Sequence, residues 1–447
     1  MQGDSTLHNN SAIFSQRKYL NLAIPLIISG ISTPILGAVD TAVIGRIPDP
    51  ASIGGVAIGA VIFNTMYWLL GFLRTATSGF TAQAEGAGNQ NEVLLAFLRP
   101  TLIALFFGLF FVLIQKPILM VALFVIGGNE TVSALASDYF SIRIWGAPFI
   151  LLSYVIIGWL IGREKVRLAL AVQVFMNVLN IILDIYFVIG LEMGVKGVAY
   201  ATLIAEVSAV SIGAFFILRT YKNSFSKISA SVLLAVEPLK RMLLVNRDLF
   251  LRTICLLAMT GMFTSLGASM GEVVLAANAI LLQIHYIIAY FFSGFANASS
   301  ILIGKGIGSG NKLLYHRAYT LSASWGLGAA ILSSFIIVLF GDMIVGIFTV
   351  LPEVQVTAMD YMVWMVVFPL FGFWGLQLEG IFTGATEAGY IRNAIMLALI
   401  IFLLVVWLLV PSLENHGVWL AFVLFSLGRS LFLWMYVPKL NQKKKMV

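Results

Sequence analysis

The stretch YLNLAIPLIISGISTPILGAVDTAVIG (residues 19–45) is long enough to cross a membrane as a helix, and its only charge is Asp40. Eleven further runs share this character: about 54–80, 93–114, 139–161, 168–190, 194–218, 249–270, 273–303, 318–340, 361–383, 394–411 and 417–437. The composition agrees. Of 447 residues, 60% are hydrophobic and 11% charged, and mean hydropathy is +0.98, whereas a soluble protein carries roughly a quarter charged residues. The alternation of a membrane β-barrel is absent, so helices must satisfy the backbone in lipid. An all-α polytopic membrane protein with twelve transmembrane helices is expected. Residues 1–18 are mostly polar, lack a cleavable signal pattern and read as a cytoplasmic segment. The single Cys255 excludes a disulfide within the chain and any CxxC metal or redox motif.

Charge position sets the orientation. If successive helices alternate, one side collects 19 Lys and Arg in its loops and both termini, and the other collects Arg46, Lys116 and Lys196. Positive loops stay inside, so both termini are placed in the cytoplasm, in the plasma (inner) membrane. The net charge of +7 then reads as topology and contact with anionic membrane lipids. Its scatter over separate loops speaks against nucleic acid.

The chain repeats itself. AEGAGNQNEV (84–93) returns as GKGIGSGNKL (304–313). At an offset of 220, Gly86 meets Gly306, Gly88 meets Gly308 and Asn91 meets Asn311; Gly197, Val198 and Ala201 meet Gly417, Val418 and Ala421. Two homologous six-helix bundles are expected, an N-lobe at 19–218 and a C-lobe at 249–438. An even number of helices per half relates them by a pseudo-twofold along the membrane normal, with a cleft between. A cytoplasmic basic linker, 219–248, joins them through the amphipathic ISASVLLAVEPLKRMLLVN, and 439–447 is a cytoplasmic tail. Neither glycine cluster completes GxxxxGK[ST] or GxGxxG, and no strand precedes either, so both read as tight helix connections rather than phosphate sites.

NVLNIILD (177–184) places Asn177, Asn180 and Asp184 on one face of the fifth helix. Thr202 on the sixth helix lies as far past the turn as Asp184 lies before it. Asp40 and Asp184 each sit about six residues below the outer ends of their helices, some ~9 Å. Two carboxylates, two amides and a hydroxyl can therefore converge in the outer half of the N-lobe. Buried carboxylates hold protons more readily than exposed ones, and ionisable residues inside membranes mark ion or proton paths. The plainer alternative for Asp40 is pairing with Arg74 or capping a kink. Pro25 and Pro34 share its helix and permit bending.

Other positions are read more simply. Glu206, one turn from Thr202, is a network member or a packing residue. Glu379 is the one acid within the tenth helix. Arg143, Arg252 and Arg429 pair with carboxylates or snorkel. His285 has no second His or Cys at ligand spacing, so no metal site and no cofactor is expected. Phe63, Met66, Tyr67, Phe149 and Tyr154, with Asp40, are candidates to line an apolar cleft for flat cations, against lipid contact or core packing. GASMG (267–271) matches GxSxG by chance, lacking a preceding strand and a His partner, and no catalytic residue is expected.

Twelve helices in two halves, Asp40 near the top of helix 1, and the Asn180, Asp184, Thr202 set resemble the multidrug and toxic compound extrusion (MATE) transporters, closest to their DinF-like branch. The resemblance covers nearly the whole chain. It implies that Asp40, Asn180, Asp184 and Thr202 form a cation or proton site, and that helix 1 bends at a proline. It further implies efflux of small lipophilic, often cationic compounds in exchange for H⁺ or Na⁺. The acid that the NorM-like branch carries early in helix 10 is replaced here by Phe371, Gly372 and Phe373. The expectation is a monomeric drug/H⁺ antiporter working by alternating access. A Na⁺-coupled antiporter and a lipid-linked precursor flippase of the same superfamily stand as alternatives.

Overall fold

The computed structural model describes residues 15–45, 49–127, 129–225 and 228–445; the side chains of 33–42, 44, 50 and 222–225 lie outside the described set. The longer helices are α1 (Gln16–Ile44), α2 (Pro50–Leu69), α3 (Phe72–Gly86), α4 (Gln90–Leu113), α5 (Gln115–Ile126), α6 (Glu130–Arg143), α7 (Ala147–Gly162), α8 (Val166–Asp184), α9 (Gly194–Phe225), α10 (Val236–Ser269), α11 (Glu272–Ser309), α12 (Lys312–Phe348), α13 (Pro352–Gly384) and α14 (Ala388–Lys443), with short turns of helix at Ile144–Gly146 and Ala230–Leu233. A π turn, Ile185–Gly190, follows α8. No strand occurs among the described residues.

Ten helical spans among the described residues are long and apolar enough to cross a membrane, with α2–α3 and α6–α7 each forming one. α14 breaks at Glu414 (φ 50°, ψ −128°) into two arms. Counting the arms separately and adding α1 gives the twelve expected. Three boundaries differ from the hydropathy pattern. The fourth span starts at Glu130, capped by Asn129 Oδ1 accepting from Val132 N at 2.8 Å, rather than near 139. The chain breaks at Ile114 after α4, and α5, which opens with Gln115, Lys116 and Pro117, has no buried residue; its Phe124 is 89% exposed. The seventh span begins at Ala230, because a short helix, Ala230–Leu233, and then 236–248 lead directly into the apolar run.

The chain forms two compact units, 31–243 and 1–30 with 244–447, and both divisions fall inside helices, α1 and α10. In the second unit, the start of α1 packs on α11. Tyr19 Oη donates to Phe295 O at 3.1 Å and lies 2.8 Å from Ser299 Oγ.

Both units rest on the same close helix packing. A Cβ at Gly158 or Gly162 would strike the carbonyl oxygen of Arg74 or Ser78, and one at Gly380 or Gly384 that of Ala296 or Ser300. Small residues let backbones approach where no hydrophobic force draws helices together. These four pairs are 222 residues apart, not 220. The same spacing relates the left-handed Gly88 (φ 67°) to Gly310 (φ 66°), and Glu192 (φ 53°) to Glu414 (φ 50°). It also relates the caps Asn89 Oδ1 to Glu92 N and Asn311 Oδ1 to Leu314 N. The expected pairing of Gly86 with Gly306 and Asn91 with Asn311 is therefore two residues out of register. The second half is two residues shorter at the corresponding helix–helix corner, so 220 is restored beyond it: Gly197 meets Phe187, and Gly417 meets Leu409.

Candidate functional site

α8 carries its polar residues inward. Asn177, Asn180 and Asp184 are 6%, 2% and 1% exposed, while Val178 and Ile182 on other faces are exposed. A helix that buries amides and a carboxylate and exposes aliphatic side chains has lipid outside and a polar interior. Asn180 Nδ2 donates to Thr202 Oγ1 on α9 at 3.4 Å, and Thr202 Oγ1 donates to Val198 O at 3.1 Å. Asn177 Oδ1 accepts from Gln173 Nε2 at 3.2 Å, and its Nδ2 donates to Ser32 Oγ on α1 at 3.2 Å. The structure thus joins Asn180 to Thr202 and Asn177 to Ser32, with Asp184 on the same buried face. Asp184 is the last α-helical residue before the π turn, whose i−5 bond runs from Leu191 N to Tyr186 O at 3.0 Å. Single π turns often mark functional positions in helices.

Asp40 lies within α1, eight residues beyond Ser32; its side chain, like that of Pro34, is outside the described residues. Pro25 is half-buried in the same helix, on the other side of the division at Gly30.

The aromatic candidates separate. Phe63, Met66 and Tyr67 are buried, while Phe149 and Tyr154 are half-buried. Phe63 stacks on Phe140 (centroids 5.1 Å) and lies 5.5 Å from Tyr67. The Arg143 guanidinium sits 4.8 Å over the Phe63 ring. Arg143 donates to Tyr139 Oη at 2.7 Å and approaches Glu206 Oε1 to 3.9 Å.

The match to known proteins decides the family. One family model, MatE, matches residues 25–186 and again 249–411, once in each half. The chain is 38% identical to the DNA damage-inducible protein F of Escherichia coli (strain K12), over 94% of this chain and 91% of that one. This chain belongs to the MatE family. It is also 26% identical to a probable multidrug resistance protein NorM of Rhizobium meliloti, over 74% of this chain and 72% of that one. A MOP-superfamily transporter from Pyrococcus furiosus shares its fold, with a TM-score of 0.85 at 20% identity over 96% of each chain.

In this MatE protein the C-terminal half builds a different polar centre. Glu379 accepts from Arg252 Nε at 3.1 Å and Nη2 at 2.8 Å, and Arg429 Nη2 lies 2.7 Å away. Sequence reading listed these residues without pairing them, because Arg252 and Glu379 are 127 positions apart. The Glu206–Arg143 approach was missed for the same reason. The signal for both was simply an acid and an Arg in apolar runs, where each needs a partner. His285 packs edge-on to Phe368 and Phe422 (4.3 and 4.8 Å), and its Nδ1 makes no hydrogen bond among the described residues.

Proposed function

We propose that this chain exports small lipophilic, often cationic compounds in exchange for protons, by alternating access. The observation that carries the proposal is the buried face of α8. A carboxylate at a helix–π junction shares that face with Asn180 and Asn177, which bond Thr202 on α9 and Ser32 on α1. Asn177–Ser32 fixes the register of α1 against α8. From that contact Asp184 lies seven residues on and Asp40 eight, so the two positions fall at about the same level, ~11–12 Å further along their helices.

A proton taken up by Asp40 or Asp184 removes a charge, at Asp184 a buried one, and so changes how the two helices bond and how α1 bends between Pro25 and Pro34. Each pH unit across the membrane supplies ~1.4 kcal/mol, and each net charge moved adds ~2.3 kcal/mol per 100 mV. No catalytic step is assigned to any residue. The orientation follows the charge count, with both termini cytoplasmic in the plasma membrane and the Asp184 end of α8 outward. NorM relatives bear the name multidrug resistance protein, which supports the drug-like substrate class.

Transport into proteoliposomes with ΔpH and ΔNa⁺ imposed separately tests the coupling. Substrate movement driven by ΔpH alone is expected. Movement driven by Na⁺ alone would replace the proton antiporter with a Na⁺ antiporter.

A further inference from the structure

Three neighbouring polar side chains on three helices of the first unit each bury an atom without a hydrogen bond among the described residues. Tyr67 Oη on α2, Arg143 Nε on α6 and Glu206 Oε2 on α9 are all buried, and none makes a hydrogen bond among the described residues. The three groups are electrostatic neighbours, with Tyr139 and Tyr154 beside them. Tyr67 is 5% and Glu206 3% exposed. Gly146 makes the room: a Cβ there would collide with Glu206 Oε2. Buried polar atoms left unbonded are costly, so such a cluster needs an explanation in function or in an exchangeable ligand.

We propose that Glu206 is a second proton-binding site, placed one helical turn beyond Thr202 on the path from Asp184. This rests on the proton-antiport reading above. Asp184 and Asn180 are one turn apart on α8, Asn180 bonds Thr202, and Thr202 and Glu206 are one turn apart on α9. Because α8 and α9 run in opposite directions, each step leads further from the Asp184 end. Net transfer of one proton breaks the O–H bond of Asp184 and forms one at Glu206, leaving the first ionised and the second neutral; the Asn180 amide and the Thr202 hydroxyl mark the line between them and end unchanged.

The surroundings suit a group that changes charge. Arg143 touches Glu206 only at 3.9 Å. When Glu206 is neutral, Arg143 keeps the Tyr139 hydroxyl at 2.7 Å and the Phe63 ring face at 4.8 Å. Its charge is thus held in both states, where a lone buried guanidinium would be strongly unfavourable. Among the described residues, the charged and titratable groups facing Glu206 are Arg143 from α6 and Tyr67 from α2; Tyr139 from α6 and Tyr154 from α7 stand behind them, and Asp184 shares its face of α8 with Asn180, which bonds Thr202.

The test is Glu206→Gln in proteoliposomes, with an ethidium-like cationic dye as probe. ΔpH-driven transport should fall about a hundredfold, the scale of losing a positioned proton carrier, while dye affinity stays within about threefold. Glu206→Asp, which keeps the acid one methylene shorter, should restore ΔpH-driven transport with a shifted pH midpoint. Wild-type transport and pH profile in Glu206→Gln, beside a defective Asp184→Asn, would overturn this inference and leave the antiport reading standing. Loss of dye binding in Glu206→Gln without rescue by Asp would also overturn it, by marking Glu206 as a packing residue. If Glu206→Gln fails to fold, Glu206→Asp alone decides, since an unshifted pH midpoint contradicts the proposal. Wild-type protein indifferent to ΔpH would remove the antiport reading and this inference with it.

Discussion

The two halves share a scaffold and differ in what they bury. Helices α3 and α7 approach through Gly158 and Gly162, as α11 and α13 do through Gly380 and Gly384. Upon that common frame, the first half gathers amides and hydroxyls on the face of Asp184: Asn177, Asn180, Thr202 and Ser32. The second half pins Glu379 between two guanidinium groups. Neutral partners can bond a carboxyl group in either protonation state. Two arginines favour the ionised form alone, because protonation leaves both charges without their counter-ion. In the structural repeat Asp184 stands opposite Val406 and Asn180 opposite Phe402, so the second half has no copy of this face. The comparison teaches that burial of an acid does not make it a proton carrier; its partners decide.

The largest expected effect that could break this contrast is on stability. Glu379→Gln leaves Arg252 and Arg429 facing each other, and should destabilise the protein by about 3–5 kcal/mol, the usual result of removing one partner from a buried ion pair. Transport per folded molecule should remain. The detergent-solubilised protein's thermal midpoint, set beside specific transport, checks this; lost ΔpH coupling with unchanged stability would erase the distinction between the halves.

A smaller effect should be symmetric. Gly158→Ala and Gly380→Ala each force a methyl group against a carbonyl oxygen, and should each lower stability by about 1–3 kcal/mol. Melting of the two variants side by side sharpens the comparison: unequal losses would mean that the frame is not shared.

The smallest effect lies outside the spans, at Glu387. Burial opposes its ionisation, but hydrogen bonds from Lys443 and Lys444 at 2.8 Å win and hold its carboxyl below the usual value. A lowered folded pKa gives stability that is present above the ordinary carboxylate range and lost as pH falls through the folded value. Glu387→Gln should therefore cost a few tenths to about 1 kcal/mol at neutral pH, allowing for solvent screening, and nothing in strong acid. Melting at pH 7 and near pH 3 checks the sign.

Much of the frame was legible in sequence because burial in lipid leaves long uncharged runs. Twelve such runs located the helices, and the i, i+3, i+7 spacing of Asn177, Asn180 and Asp184 located their common face. Contacts between distant helices were not legible. Nothing in the neighbourhood of Glu206 or Glu379 states that the first has one loose arginine and the second two tight ones. The π turn after Asp184 left no mark either, since IYFVIG carries no breaker before its final glycine. The repeat was found at 220 because the GxG clusters align there by composition. The left-handed glycines and asparagine caps, which fix the backbone, align at 222.

One measurement bears most directly on the claim that the first half carries the proton. Asp184→Asn and Glu379→Gln, reconstituted in parallel, are assayed for ΔpH-driven uptake and for substrate counterflow, which needs no proton gradient. Asp184→Asn should lose the ΔpH-driven component by about a hundredfold, the scale of removing a positioned proton carrier, while retaining counterflow. Glu379→Gln should keep the wild-type ratio of the two. Intact ΔpH-driven uptake by Asp184→Asn, with a collapsed ratio in Glu379→Gln, would contradict the account.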